Sequence, residues 1–220
     1  MALFLLGPLV AWLRLVPPLA GFATFGLGGL LALIVAILAG IRALRGRGFG
    51  RGGTLAAAVA ALVFVWSAVH GGRGPMTNDF TTDPADPPAY KQATGEPANV
   101  GRDMAYPAGF AEQQRTCCPD LVPIVLPAPP AAAFARVETV ATAMPSWRIT
   151  RKDPAAGEVE AISTSALFGF QDDVIIRVRP DSASGGSRVD VRSKSRDGKG
   201  DRGVNAARIR SFREALTASP

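Results

Sequence analysis

Residues 20–41, AGFATFGLGGLLALIVAILAGI, run for 22 positions without a charge. A helix of that length reaches roughly 33 Å, enough to cross the hydrocarbon core of a bilayer. The rest of the chain is therefore expected to fold as something tied to a membrane. Next comes RALRGRGFGRGG, which places Arg42, Arg45, Arg47 and Arg51 in twelve residues. A second apolar run, residues 54–70, follows; it is rich in alanine and, at 17 residues, short for a span. Trp66 and His70 near its end suit the membrane–water interface. Two spans with an arginine loop between them predict a helical hairpin. Cytoplasmic loops collect Lys and Arg, so the loop (residues 42–53) is expected in the cytoplasm and both flanking segments across the membrane. A cleaved secretory signal is disfavoured, because no positive n-region or small-residue cleavage site precedes the first span. Residues 1–18 are interrupted by Arg14 and Pro17-Pro18, which fits an interfacial or partial segment.

Charge divides the chain. Residues 1–72 contain no Asp, Glu or Lys and five arginines, and the first acidic residue is Asp79. Five of the net +6 charges thus lie in the apolar region, so the basic balance is no argument for nucleic-acid binding. Residues 73–187 carry 10 basic and 14 acidic side chains, whereas residues 188–213 carry 9 basic and 3 acidic. This dipolar split calls for an explanation.

Two cysteines, adjacent at Cys117-Cys118, exclude a disulfide scaffold and multi-cysteine zinc patterns. They read either as a vicinal disulfide in an oxidising compartment or, by preference, as two half-buried thiols; a redox role is the weaker reading. One histidine, His70, supplies no metal cluster, so neither metal nor cofactor is expected. Residues 73–130 form a proline-rich extended segment. In it FTTDPADPPAY (residues 80–90), Tyr106, Phe110 and Leu121 space large side chains along a stiffened chain. Such a segment is expected to wrap across a domain surface.

Residues 131–220 read as an α+β domain. Phe134, Val137 and Ala141 recur at helical spacing, with Pro145 as the stop. Strands are expected from Trp147, over residues 159–164, over residues 172–179 and over residues 188–195, with an apolar Leu167-Phe168-Gly169-Phe170 between the second and third. Asp173, Ile175, Arg177 and Arg179 share one strand face, and Arg188, Asp190, Arg192 and Lys194 share one on the next. Asn205, Ile209, Phe212 and Leu216 form a helical stripe. The expected fold is a small antiparallel sheet of three to four strands, two helices on one face and a wet polar face, preceded by the transmembrane hairpin.

The polar residues admit three readings. One is an exposed ion-pair ladder, each pair worth about 0–1 kcal/mol. A second is an anion or lipid-headgroup site built from Asp173, Arg177, Asp190, Arg192, Ser193, Ser195, Arg196, Asp201, Asn205 and Arg208, since guanidinium forks, hydroxyls and a helix N-terminus all present donors to oxygen. A third is an enzyme with Asp172, Asp173 or Asp190 as base, although no nucleophile–base spacing is visible.

FTTDPADPPAY, the Pro-Asp of CCPDLVPI, FGFQDDVIIRV and VDVRSKSRDGKGDRGVNAARIRSF together resemble the bacterial and plastid family known as domain of unknown function 1499, over about residues 78–217. Where that family usually has an aromatic before Pro-Asp, this chain has Cys118. The resemblance implies domain boundaries and a residue set, and no activity. The combined expectation is an integral protein of a bacterial inner membrane, its domain on the periplasmic side, serving as an envelope binding or structural module. Its partners would be the bilayer and an anionic lipid or another envelope protein, with nucleic acid excluded.

Overall fold

The computed structural model describes residues 2–46, 51–70 and 75–218, and these fall into two compact units. Part of the arginine loop (residues 47–50) and the glycine-rich residues 71–74 lie outside the described residues.

The first unit holds three helices, α1 (Ala2–Trp12), α2 (Pro18–Leu44) and α3 (Arg51–His70). Two of them, α2 and α3, are long and apolar enough to cross a membrane by length and composition. At 11 residues α1 reaches only about 16 Å. Small residues let α1 and α2 approach closely: a Cβ on Gly28 would stand 2.4 Å from the backbone nitrogen of Phe4. Helices whose outer faces are as apolar as their surroundings gain by such close packing rather than by hydrophobic burial. Residues Ser165–Phe170 cluster with these helices, with Phe168 edge-on to Phe22 at 5.3 Å.

The second unit is an α+β domain. Its antiparallel sheet has six strands among the described residues: β1 (Asp79–Thr81), β2 (Ile124–Leu126), β3 (Trp147–Asp153), β4 (Glu158–Thr164), β5 (Gln171–Asp181) and β6 (Gly186–Ser195). Strands run in the order β1-β6-β5-β4-β3, and β2 also pairs with β6. The sequence led to three or four strands. The two extra ones come from the proline-rich segment, which docks two three-residue strands against β6. Three helices accompany the sheet: α4 (Phe110–Cys117), α5 (Pro130–Ala143) and α6 (Val204–Ala218). The first of these carried no apolar periodicity and was not anticipated.

The core explains the alternation. Phe134, Val137 and Val140 of α5 and Ile209, Phe212 and Leu216 of α6 bury against Val174, Ile176, Val178, Val189 and Val191 of the sheet. Phe80, Ile124 and Leu126 bring the added strands into the same cluster. Trp147 stacks on Phe212 with ring centroids 5.7 Å apart. Gly157, at φ +68°, closes the β3–β4 turn so near the carbonyl oxygen of Val178 that a Cβ would stand 2.3 Å from it.

Phe212→Ala removes a fully buried ring and is expected to destabilise the domain by about 3–5 kcal/mol. Denaturant unfolding followed through Trp147 fluorescence checks this, and an unchanged midpoint would contradict the packing described.

Candidate functional site

Period-two alternation gives β5 and β6 a second face, and it is charged. Cross-strand partners there are Asp173↔Lys194, Ile175↔Arg192, Arg177↔Asp190 and Arg179↔Arg188. The sequence placed these residues on shared faces, as observed, but expected that face to be wet. Instead the segment from Thr82 to Met104 lies over it, and Asp173, Asp190, Arg192 and Lys194 are buried.

At the centre is Arg192, with 2% of its surface exposed. Its Nε and Nη2 donate to the two carboxylate oxygens of Asp79 at 2.9 and 2.7 Å. Nη1 donates to the carbonyl of Pro88 at 3.1 Å, and Nη2 donates again to that of Met104 at 2.9 Å. The guanidinium lies over the rings of Tyr90 and Tyr106, at 4.8 and 5.5 Å from their centroids. Lys194 adds a third contact to Asp79 at 3.0 Å. Burial would lower the pKa of Arg192, but its hydrogen bonds to Asp79 and the nearby charges outweigh that and raise it. Burial also pushes Tyr90 well above its usual range and Tyr106 up to about 12, so both phenols stay neutral.

Around this pair the overlying segment is fixed by side chains of the sheet. Glu160 accepts the backbone N–H groups of Lys91, Gln92 and Ala93 at 3.0, 2.9 and 2.9 Å. Tyr90 donates its hydroxyl to the carbonyl of Asp173 at 3.0 Å. Asn99 donates to the Asp173 carboxylate at 2.7 Å, which also accepts from Arg196 at 2.6 Å. On the outer edge of β1, Gln114 accepts the N–H of Thr81 at 3.0 Å and donates to its carbonyl at 2.6 Å, standing in for a neighbouring strand.

The ten residues selected from the sequence do not converge on one cleft, because the sheet divides them. Asp173, Arg177, Asp190, Arg192 and Arg196 lie under the overlying segment. Ser193, Ser195, Asn205 and Arg208 lie on the helix side. There Arg208 donates to Asp172 at 2.5 Å and to Ser193 at 3.0 Å, while Asn205 links Ser193 and Ser195. Asp201 accepts the N–H groups of Gly203 and Asn205 at 2.8 and 2.7 Å, capping the start of α6. Asp173 and Asp190, the suggested bases, each have their oxygens held by arginine donors.

A more open cluster lies at the rim, where the sequence pointed only to Arg177 and Asp190. Asp190 accepts from Arg177 at 3.2 Å, Arg179 at 2.8 Å and Arg188 at 2.9 Å. Asp83 pairs with Arg179 and Arg188, and Asp86 with Arg179 at 2.6 Å and Arg177 at 3.1 Å. The side chain of Asp86 is 58% exposed. The Arg179 hydrogen bond, opposed by slight burial and helped by Arg177, holds its carboxyl below the usual carboxylate range. Arg179 and Arg188 share strand faces with the selected residues but were not among them, and Asp83 and Asp86 sit in a turn-rich stretch with no periodicity to flag them. Asp79 was missed for the same lack of a local signal, and Glu160, on an expected strand, because alternation does not say what covers a face.

Cys117 and Cys118 are joined to each other at the end of α4, with Cys118 in the core, so the preferred reading as two thiols gives way to the vicinal disulfide. No group of three or more His, Cys, Asp or Glu suited to a metal occurs among the described residues.

Residues 79–216 match the family model described as Protein of unknown function (DUF1499). The chain belongs to the DUF1499 family. The matched span starts at Asp79 and ends at Leu216, so the buried Asp79–Arg192 pair and the helix-side Asn205–Arg208 group both fall within the DUF1499 region. No curated protein matches the sequence.

Two predictions follow the charge chemistry. Arg192→Met leaves the buried Asp79 with Lys194 alone and is expected to cost about 3–5 kcal/mol, of which Arg192→Lys recovers only part; urea midpoints of the three proteins decide it. Burial, with Asp172 adding repulsion, raises the pKa of Asp201 above 3.8 despite its backbone hydrogen bonds. Its contribution to stability is therefore complete below pH 3.8 and is lost as pH rises through the folded-state value. Asp201→Asn should flatten that decline in a series of denaturation curves across pH.

Proposed function

We propose that this chain is a membrane-anchored binding module of the cell envelope, with the domain on the extracytoplasmic side, and that it takes an anionic group of phosphate type at the rim. The observation that carries this reading is the convergence of Arg177 and Arg179 on the exposed carboxylate of Asp86, with Arg188 beside them on Asp83 and Asp190. The inner cations are already spent on the protein itself: Arg192 and Lys194 on Asp79, Arg196 on Asp173 and Arg208 on Asp172. An incoming anion gains most at the rim, where displacing Asp86 leaves three guanidiniums facing two carboxylates, a net +1. Arginine forks are suited to phosphate oxygens. The extracytoplasmic side is supported by the arginines that separate α2 from α3, which favour the cytoplasm.

The test uses the full chain in phosphatidylcholine nanodiscs and its Asp86→Ala variant, with phenylglyoxal modification of Arg179 and Arg188 read by mass spectrometry. Inorganic phosphate forms one arm and nanodiscs containing phosphatidylglycerol the other. Protection by phosphate in both lipids indicates a soluble ligand; protection by phosphatidylglycerol alone indicates a headgroup. Arg179→Gln is expected to weaken phosphate binding to Asp86→Ala about tenfold. Equal modification in every arm removes the proposal.

A further inference from the structure

The turn between β4 and β5 has no part in the charged network, yet it is built with care. Residues 161–171 carry no charge, and at its tip stand Leu167, Phe168 and Phe170. The turn is closed by its own hydrogen bonds: Ser165 N–H to the carbonyl of Phe170 at 2.8 Å, Gly169 N–H to that of Ser165 at 3.1 Å, and Phe170 N–H to Ser165 Oγ at 2.9 Å. Gly169 at φ +76° makes the tight return possible. The domain core, from Phe80 to Leu216, is assembled without these three side chains. The Arg14 guanidinium lies against Gly169, but the three apolar side chains have no place in the domain core and call for an apolar surrounding outside.

That surrounding is indicated by the rings. Phe168 lies 5.3 Å from Phe22 and 5.9 Å from Phe25, and Phe170 lies 5.9 Å from Phe22, all edge-to-face. Phe22 and Phe25 belong to α2, which is long and apolar enough to span a membrane. Both are close to its first residue, Pro18, and so belong near one membrane face. Leu167, 50% exposed, is left for lipid.

We propose that Leu167, Phe168 and Phe170 form a second membrane attachment, a rigid turn whose tip enters the bilayer interface beside α2. Aromatic and aliphatic side chains on an uncharged turn partition into that zone, and the three closing hydrogen bonds satisfy part of the turn's backbone there. This attachment is independent of the anion reading, since it involves none of the rim residues.

Photo-crosslinking of the full chain in phosphatidylcholine nanodiscs tests it. p-Benzoylphenylalanine is placed at Leu167 in one protein and at Ala166 in a second, which keeps all three apolar side chains. A third carries it at Ser184, in the exposed turn joining β5 to β6. The expected result is a lipid adduct at positions 166 and 167, at least about tenfold more abundant than at 184 by mass spectrometry, as suits a tip that excludes water. Adducts to protein alone at 166 and 167, or lipid adducts no more frequent there than at 184, overturn the proposal.

Discussion

Placing a guanidinium inside a protein is tolerable only if every donor finds an acceptor and the charge finds a counter-charge. Arg192 places four of its five N–H groups on Asp79 and the carbonyls of Pro88 and Met104, and Asp79 supplies the counter-charge. None of these groups is near it in the chain; Asp79 is 113 positions away. The pair therefore requires the segment that follows β1 to be in place, and the segment in turn has little core of its own beyond Tyr90, Ala93 and Met104 on Ile175. The ion pair also sets register. Slipping β1 by one residue would turn Asp79 toward Val174 and Val191 and bring Phe80 among the charges, so apolar and ionic faces select the same alignment.

The sheet thus separates two kinds of cohesion. One face is sealed by α5 and α6 through apolar burial. The other is sealed through matched charge: Asp79 and Asp173 with Arg192, Lys194 and Arg196 inside, and Asp83, Asp86 and Asp190 with Arg177, Arg179 and Arg188 at the rim. The dipolar charge split of the chain is resolved by this pairing, since acids before residue 187 neutralise bases after it. Matched charge does not tell how tightly each set is held. Inner pairs are dry, where removing one partner strands the other, while exposed pairs such as Asp86 with Arg179 exchange with water and salt.

What was readable in the chain was local. Alternation along β5 and β6 identified which residues share a face, and the spacing of Ile209, Phe212 and Leu216 identified the inner side of α6, because strand and helix periods act on near neighbours. Alternation does not say what covers a face, so Arg188, Asp190, Arg192 and Lys194 were read as wet when most of them are buried. The strands β1 and β2 are three residues each, too short to show a period, and exist because β6 offers them a template. Likewise Ser193 and Arg192 are adjacent in sequence and were gathered into one site, although neighbours on a strand point to opposite faces and the sheet keeps them apart.

The two units respond to substitution by different physics. In α1 and α2, Gly7, Gly21 and Gly28 set how near the helices come, and an added methyl group at Gly28 would press on the Phe4 backbone. In lipid that loss is not offset by hydrophobic pressure, because tails compete equally for the freed surface. In the domain, a lost methyl group leaves a cavity that water-driven burial penalises, and a lost charge leaves its partner desolvated. Volume is therefore the sensitive variable among the helices, whereas charge balance is the sensitive variable under the strap of residues 82–104. A substitution such as Arg192→Met, nearly neutral in size, tests only the second.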